Sequence, residues 1–266
     1  IVGLADTGRV INAEVKARIR AGKIREVGRN QALSAEMILG LSPDLLMTVG
    51  FPGRDIGPLR TLVGSGIPVV TNSEWMESTP LARAEWVKLL AAFLDKDEWA
   101  EAKFAEVEKA YEEIRTLAAT AGNRPRVFAG IGRKGTWTVP GGRSYVAALL
   151  RDAGGEYPWA DDTSSGSRHM GFESVYQAAR DADCWVNAGW AGSLRDLTDE
   201  DGRLRDFRAV REGRVYNNTN RMGLSGSNEY WETGLVNPHL ILADFVRILH
   251  PSLLPDGEFT YARRLE

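Results

Sequence analysis

Apolar residues along this chain come in two patterns: short continuous runs bounded by Gly, Pro and Asp, and longer stretches where they return every three or four positions. The first pattern reads as buried strands, the second as helices with one buried face. On that basis Ile1 to Ala5 is a strand, Ala13 to Ala21 a helix ended by Gly22, and Ser34 to Leu41 a helix with Ser34 as its N-cap. Asp44 to Val49 follows as a buried strand closed by Gly50, Pro52 and Gly53. Ile56 to Val63 is helical, Pro68 to Thr71 is a strand, and Pro80 opens a helix to Leu94 behind the Thr79 cap.

The longest helical pattern runs from Asp95 to Gly122. Asp95 is placed to accept from first-turn amides while Glu98 reaches back, a capping-box spacing. Gly122 supplies a left-handed end, and Pro125 lies just beyond. Phe104, Val107, Tyr111, Ile114 and Ala118 form one apolar stripe. At about 1.5 Å per residue the helix is on the order of 40 Å long, enough to connect two bodies. Its stripe is then expected to divide between them.

After it the alternation restarts. Arg126 to Ile131 is a strand, Ser144 to Ala153 a helix ended by Gly154 and Gly155, Glu173 to Ala179 a helix, and Cys184 to Asn187 a strand. Leu204 to Val210 is helical, Val215 to Asn217 is a strand, and Pro238 to Leu249 is a closing helix stopped by Pro251. Strands alternating with helices imply parallel pairing through right-handed crossovers, an α/β architecture. The expected domains are residues 1–94, an interlobe helix at 95–122, and residues 123–266. The halves echo each other. LSAEMILGLSPDLLMTVG from Leu33 parallels MGFESVYQAARDADCWVNAG from Met170, each with Glu at its fourth position.

A length of 266 residues allows one large or two modest cores. The net charge of -3, with acids and bases interspersed, argues against general nucleic-acid binding. No apolar run approaches the roughly 20 residues needed to span a bilayer. The single Cys184 has no partner for an internal disulfide and lies in an apolar run, as a buried inert thiol does. The chain opens on IVGLA without a targeting segment, as expected of a precursor that has lost one.

Gly130, Gly132 and Gly135 spell G-x-G-x-x-G after a strand, but the dinucleotide fingerprint needs a helix to begin there. TWTVPGG follows instead, so an open, aromatic-bearing loop is expected. His169, His239 and His250 lack metal-ligand spacing; His250 reads as a helix-end residue, while His169 lies in the polar stretch SSGSRHM, where it can face a ligand. No G-x-S-x-G is present, and Ser225 and Ser227 read as turn residues. The aromatic and Arg residues are more informative. Phe51, Arg54, Trp75, Trp137, Trp190 and Arg221 each follow a predicted strand, at the edge where open α/β sheets bind ligands. Flat aromatics with a few Arg suit a bulky, partly planar, anionic ligand.

With these residues in view, the sequence resembles the helical-backbone (class III) periplasmic binding proteins, receptors of ABC importers for ferric siderophores, haem and vitamin B12. The likeness covers nearly the whole chain through GRNQALSAEMILGLSPDLLMTVG, RTLVGSGIPVV, YVAALLRDAGGEYPW, GFESVYQAARDADCWV and FRAVREGRVYN. SEWMESTPLARAEWV is similar to a branch described as iron-compound receptors. The resemblance implies two Rossmann-like α/β lobes joined by one long helix, with an iron compound or corrinoid captured in the cleft. It also implies no resident cofactor, since the ligand itself carries iron or cobalt, and no catalysis. Docking on the membrane permease dimer would use one Glu per lobe, here Glu36 and Glu173. The receptor is expected as a monomer in the periplasm or lipid-anchored outside the cytoplasmic membrane. The family normally has a strand and helix before the equivalent of IVGLA, so the first lobe is expected to lack them. Two other readings stay open: a two-lobed α/β enzyme such as a nucleotide-sugar transferase, and a metal-ion receptor of related architecture, the latter disfavoured by the scattered His.

Overall fold

The computed structural model describes residues 1–29, 32–49, 57–133, 135–189, 191–223 and 225–266. It divides into two compact units, one of Ile1–Ser73 with Met222–Asn228 and one of Glu74–Arg221 with Glu229–Glu266.

The first unit carries β1 (Gly3–Leu4), α1 (Ala13–Arg20), β2 (Arg25–Glu26), β3 (Gly28–Arg29), β4 (Ala32–Leu33), α2 (Ala35–Leu41), β5 (Leu46–Val49), α3 (Gly57–Gly64) and β6 (Val69–Asn72). β1 pairs with β2 and β5 with β6, both parallel, while β3 and β4 form an antiparallel pair. The expected first strand contracts to two residues, and Ile1 is 71% exposed. Asn12 caps α1 by accepting from the Val15 amide, and Ser34 caps α2 by accepting from Met37. Val27, Ile38 and Leu62 form the unit's core, flanked by Leu33, Leu41, Leu46 and Ile67. The returning segment forms an antiparallel bridge between Met222 and Asn228, and Gly223 approaches Ile11 closely. Ser225 and Ser227 lie 3.3 Å apart within this turn.

The second unit begins with α4 (Pro80–Glu85), α5 (Val87–Ala92), α6 (Asp97–Ala118), β7 (Val127–Ala129), β8 (Ile131–Arg133) and β9 (Thr136–Pro140). It continues with α7 (Tyr145–Asp152), β10 (Ser167–Gly171), α8 (Phe172–Ala179), β11 (Cys184–Val186), α9 (Leu194–Glu200) and α10 (Arg208–Arg211). β12 (Val215–Asn217), α11 (Thr233–Val236), α12 (Pro238–Leu249) and β13 (Arg263–Arg264) complete it. One sheet has the order β13-β12-β11-β7, parallel except for β13, and a second, antiparallel sheet has the order β10-β9-β8. Its aromatic centre stacks Phe128 on Trp185 at 5.1 Å and on Phe207 at 5.5 Å, with Trp137 tilted 5.3 Å from Trp185. Cys184 is buried on β11, and burial pushes its thiol up to about 11.

Several expectations need correction. The unit boundary falls at Ser73 rather than Leu94, because α4 and α5 pack on α6, and α4 also packs on α11 and α12. α6 lies in the second unit, where Tyr111 and Ala118 join the aromatic core and the Tyr111 hydroxyl donates to Asp152 Oδ2 at 2.7 Å. Asp95 does not cap it. Asp95 has φ 54° and closes the preceding helix, with the Lys96 amide bonding back to Ala91 O at 3.0 Å as in a Schellman end. Lys96 occupies the N-cap of α6 without a side-chain bond. Gly122 is not left-handed, since α6 ends at Ala118 in a tight turn through Thr120 and Ala121. The helix expected from Pro80 to Leu94 breaks at Trp86, whose indole donates to Glu77.

Candidate ligand cavity

The loop expected at residues 130–140 is instead the β8–β9 hairpin. Gly130, at φ 153°, turns the chain out of β7, and a Cβ on Gly132 would lie 2.6 Å from the Trp137 indole. Gly135, at φ 79°, makes the hairpin turn. Gly130 and Gly132 therefore make room for Trp137, Gly135 serves the turn, and a strand follows them where a dinucleotide site needs a helix.

Beside this hairpin is a cavity of about 690 Å³. Ile131, Gly132, Arg133, Gly135 and Trp137 form one wall, Trp185, Ala188 and Ala191 the floor, and Leu197, Glu200, Asp201, Arg203 and Leu204 the far side. Ile131 comes just after β7, while Ala188 and Ala191 follow β11, so the cavity lies at the carboxyl edge of the parallel strands. Trp185 Nε1 donates to Gly130 O at 3.1 Å, tying floor to wall. Asn217 Nδ2 donates to Gly189 O at 2.7 Å and Ala191 O at 3.0 Å, fixing the loop after β11. Asn187 is left-handed at φ 53°, and its Nδ2 donates to the Tyr230 hydroxyl. At the far side Arg203 grips Asp201 through Nε at 2.9 Å and Nη2 at 2.6 Å, and its guanidinium lies 3.9 Å over the Phe172 ring. That pairing holds the Asp201 carboxyl below the usual carboxylate range.

Of the residues singled out from sequence, Trp137 lines this cavity, though only 1% of its surface is exposed. Trp75 is half-buried in a short turn, Glu74–Met76, and does not line it. His169 lies on β10 rather than in a loop, exposed, with Nδ1 3.2 Å from Thr138 Oγ1. Arg221 is exposed and pairs with Glu229 at 3.4 Å. Phe51, Arg54 and Trp190 lie outside the described residues. Trp185, Asp201 and Arg203 were missed: CWV reads as core strand, which it also is, and DEDGRLRD reads as solvated charge. Among the described residues no three His, Cys, Asp or Glu side chains gather as metal ligands, and no helix is long and apolar enough to cross a membrane.

The family described as periplasmic binding protein matches residues 2–221. This chain belongs to the periplasmic binding protein family. An uncharacterized lipoprotein of Methanocaldococcus jannaschii is 29% identical over 90% of the chain, and a second from the same organism is 25% identical over 100%. The chain spans 55% of the first relative's length and 68% of the second's. In fold it is similar to an ABC transporter substrate-binding protein from Listeria monocytogenes, with TM-score 0.68, 17% identity, and coverage of 94% of this chain and 91% of that one. A periplasmic haem-binding protein from Pseudomonas aeruginosa gives 0.67 at 22% identity, covering 94% and 85%. S. aureus IsdE complexed with haem gives 0.67 at 14% identity, covering 94% and 91%. In this periplasmic binding protein, Glu36 and Glu173 occupy equivalent positions. Each is an exposed second residue of the helix in a strand–helix–strand run, β4–α2–β5 in one unit and β10–α8–β11 in the other.

Proposed function

We propose that this chain is the solute receptor of an ABC importer, which captures an iron compound, either a ferric siderophore or haem, or a corrinoid, and delivers it to a membrane permease dimer. The observation that carries the reading is the cavity at the carboxyl edge of β7 and β11, whose lining sets Ile131, Ala191 and the edges of the buried Trp137 and Trp185 beside Arg133 and Arg203. Apolar lining beside guanidinium groups suits a bulky chelate that carries acidic groups. Phe51, Arg54, Trp75, His169, Trp190 and Arg221 are proposed as further ligand contacts. The haem-binding neighbours support the ligand class, and the relatives named as lipoproteins support a place outside the cytoplasmic membrane, periplasmic or lipid-anchored. Glu36 and Glu173 are the proposed permease contacts, and the receptor acts as a monomer without chemistry of its own.

Titration of tryptophan fluorescence with haemin, a panel of ferric siderophores and cobalamin tests the ligand class. Saturable quenching by one of them is expected, with Trp137 and Trp185 as reporters. If no member quenches or binds, the receptor reading falls and the two-lobed enzyme returns.

A further inference from the structure

The second unit has another concavity, of about 510 Å³, at the amino edge of the same parallel strands. Pro125 precedes β7, Asp183 precedes β11 and Arg214 precedes β12, and all three line it. Three guanidinium groups converge there: Arg214, Arg247 in the last turn of α12, and Arg264 on β13. Arg214 Nη2 donates to Ile248 O at 3.1 Å and Arg264 Nε to Gly213 O at 2.6 Å, so backbone carbonyls orient both.

The nearby acids offset this group only in part. Asp183 and Glu212, at the rim, are both taken by Arg208, at 2.7 Å and 2.8 Å, and Asp183 also accepts the Arg126 amide. Asp244 lies 3.7 Å from Arg247 but spends its two oxygens on the amides of Thr260, Tyr261 and Ala262. Arg247 Nε is buried and has no hydrogen-bond partner among the described residues. The carboxyl end of α12 does attract cations, but it carries only about half an elementary charge, and the guanidiniums of Arg208, Arg214, Arg247 and Arg264 still outnumber the carboxylates of Asp183, Glu212 and Asp244. A buried guanidinium donor left without an acceptor is destabilising.

We infer that this concavity binds an oxyanion of the phosphate class, gripped by Arg214, Arg247 and Arg264. The fork geometry of guanidinium matches a phosphoryl group with several acceptor oxygens. The inference is independent of the ligand cavity at the opposite strand edge and of the importer reading.

The whole chain, labelled with nitrogen-15, would be titrated with inorganic phosphate at constant ionic strength, in parallel with flotation on phosphatidylglycerol and on neutral phosphatidylcholine vesicles. Saturable shifts at the Ile248 and Tyr216 amides are expected for a free phosphate, and flotation on the anionic vesicles alone for a lipid headgroup. Arg264→Gln, at an exposed edge-strand position, should weaken either response about tenfold, as loss of a charge-assisted contact does. Arg247→Lys, which keeps the charge but loses the fork, should weaken it less, and the exposed Arg195→Gln should change nothing. Absence of both responses in the unaltered protein, or equal binding by the Arg264 and Arg195 variants, overturns the inference.

Discussion

The carboxylate of Asp244, on α12, accepts the backbone amide of Tyr261 at 2.6 Å across 17 positions of sequence. The same side chain takes the Thr260 and Ala262 amides at 2.8 Å each, so one buried acid anchors the segment leading into β13. An amide side chain has one oxygen and would turn its own N–H₂ toward at least one of those donors. Asp244→Asn should therefore lower stability by about 2 kcal/mol, from hydrogen bonds to a charged group lost inside the protein. Urea unfolding measures it; an unchanged midpoint would mean the segment is held by its apolar contacts alone.

Gly132 makes a second prediction, because its missing Cβ is where the Trp137 indole packs. Gly132→Ala forces a 2.6 Å contact to relax in a dense aromatic core, which should cost about 1–3 kcal/mol. It should also shift tryptophan emission, as Trp137 and Trp185 move apart. A variant of native stability and spectrum would reopen a backbone-to-ligand role for this glycine.

These two residues also show how far the sequence reaches. Caps at Ser34 and Thr79 are legible because a short hydroxyl before an apolar period has a single local use, and both accept the expected amides. Asp95 misleads because the same residue type tolerates the left-handed conformation that closes a helix, and the preceding helix claims it. The glycine spacing at 130–135 is visible, but the purpose of Gly130 and Gly132 is set by Trp137 on the next strand, which packs on Trp185. Arg203 and Asp201 form their side of the cavity through a pairing two residues apart, and nothing local distinguishes that run from solvated charge. Of the residues that the carboxyl-edge rule singled out, Trp137 lines the cavity, while Trp185, Asp201 and Arg203 in its lining were not among them.

His239, in the first turn of α12, is half-buried, its Nδ1 has no partner among the described residues, and burial lowers its pKa. A base whose folded pKa is depressed lends stability that is present above its unfolded value, about 6.5, and lost as pH falls through that value toward the folded one. The unaltered protein should lose stability on acidification through this window, and His239→Gln should lose less over the same range. Thermal midpoints measured from pH 7.5 down to pH 5 give the comparison (roughly the titration range of an imidazole). Parallel curves for the two proteins would remove His239 from the acid response.

Glu36 and Glu173 supply the functional prediction. Both are exposed at the second position of their helices, where a carboxylate favours the helix dipole by only about 0.3–1 kcal/mol. Replacing both with Ala should thus leave folding near native and leave saturable quenching by haemin, or by whichever chelate binds, in place with at most a small change in affinity. If they are the permease contacts, the double variant should lose uptake, while Glu36→Gln or Glu173→Gln alone should be partly impaired, since each removes one of two anchors. Glu173 adds a complication within its own unit, because Arg203, which stacks on the adjacent Phe172, feels its charge. A small change in affinity on Glu173→Ala alone is therefore compatible with docking, whereas normal transport by the double variant is not.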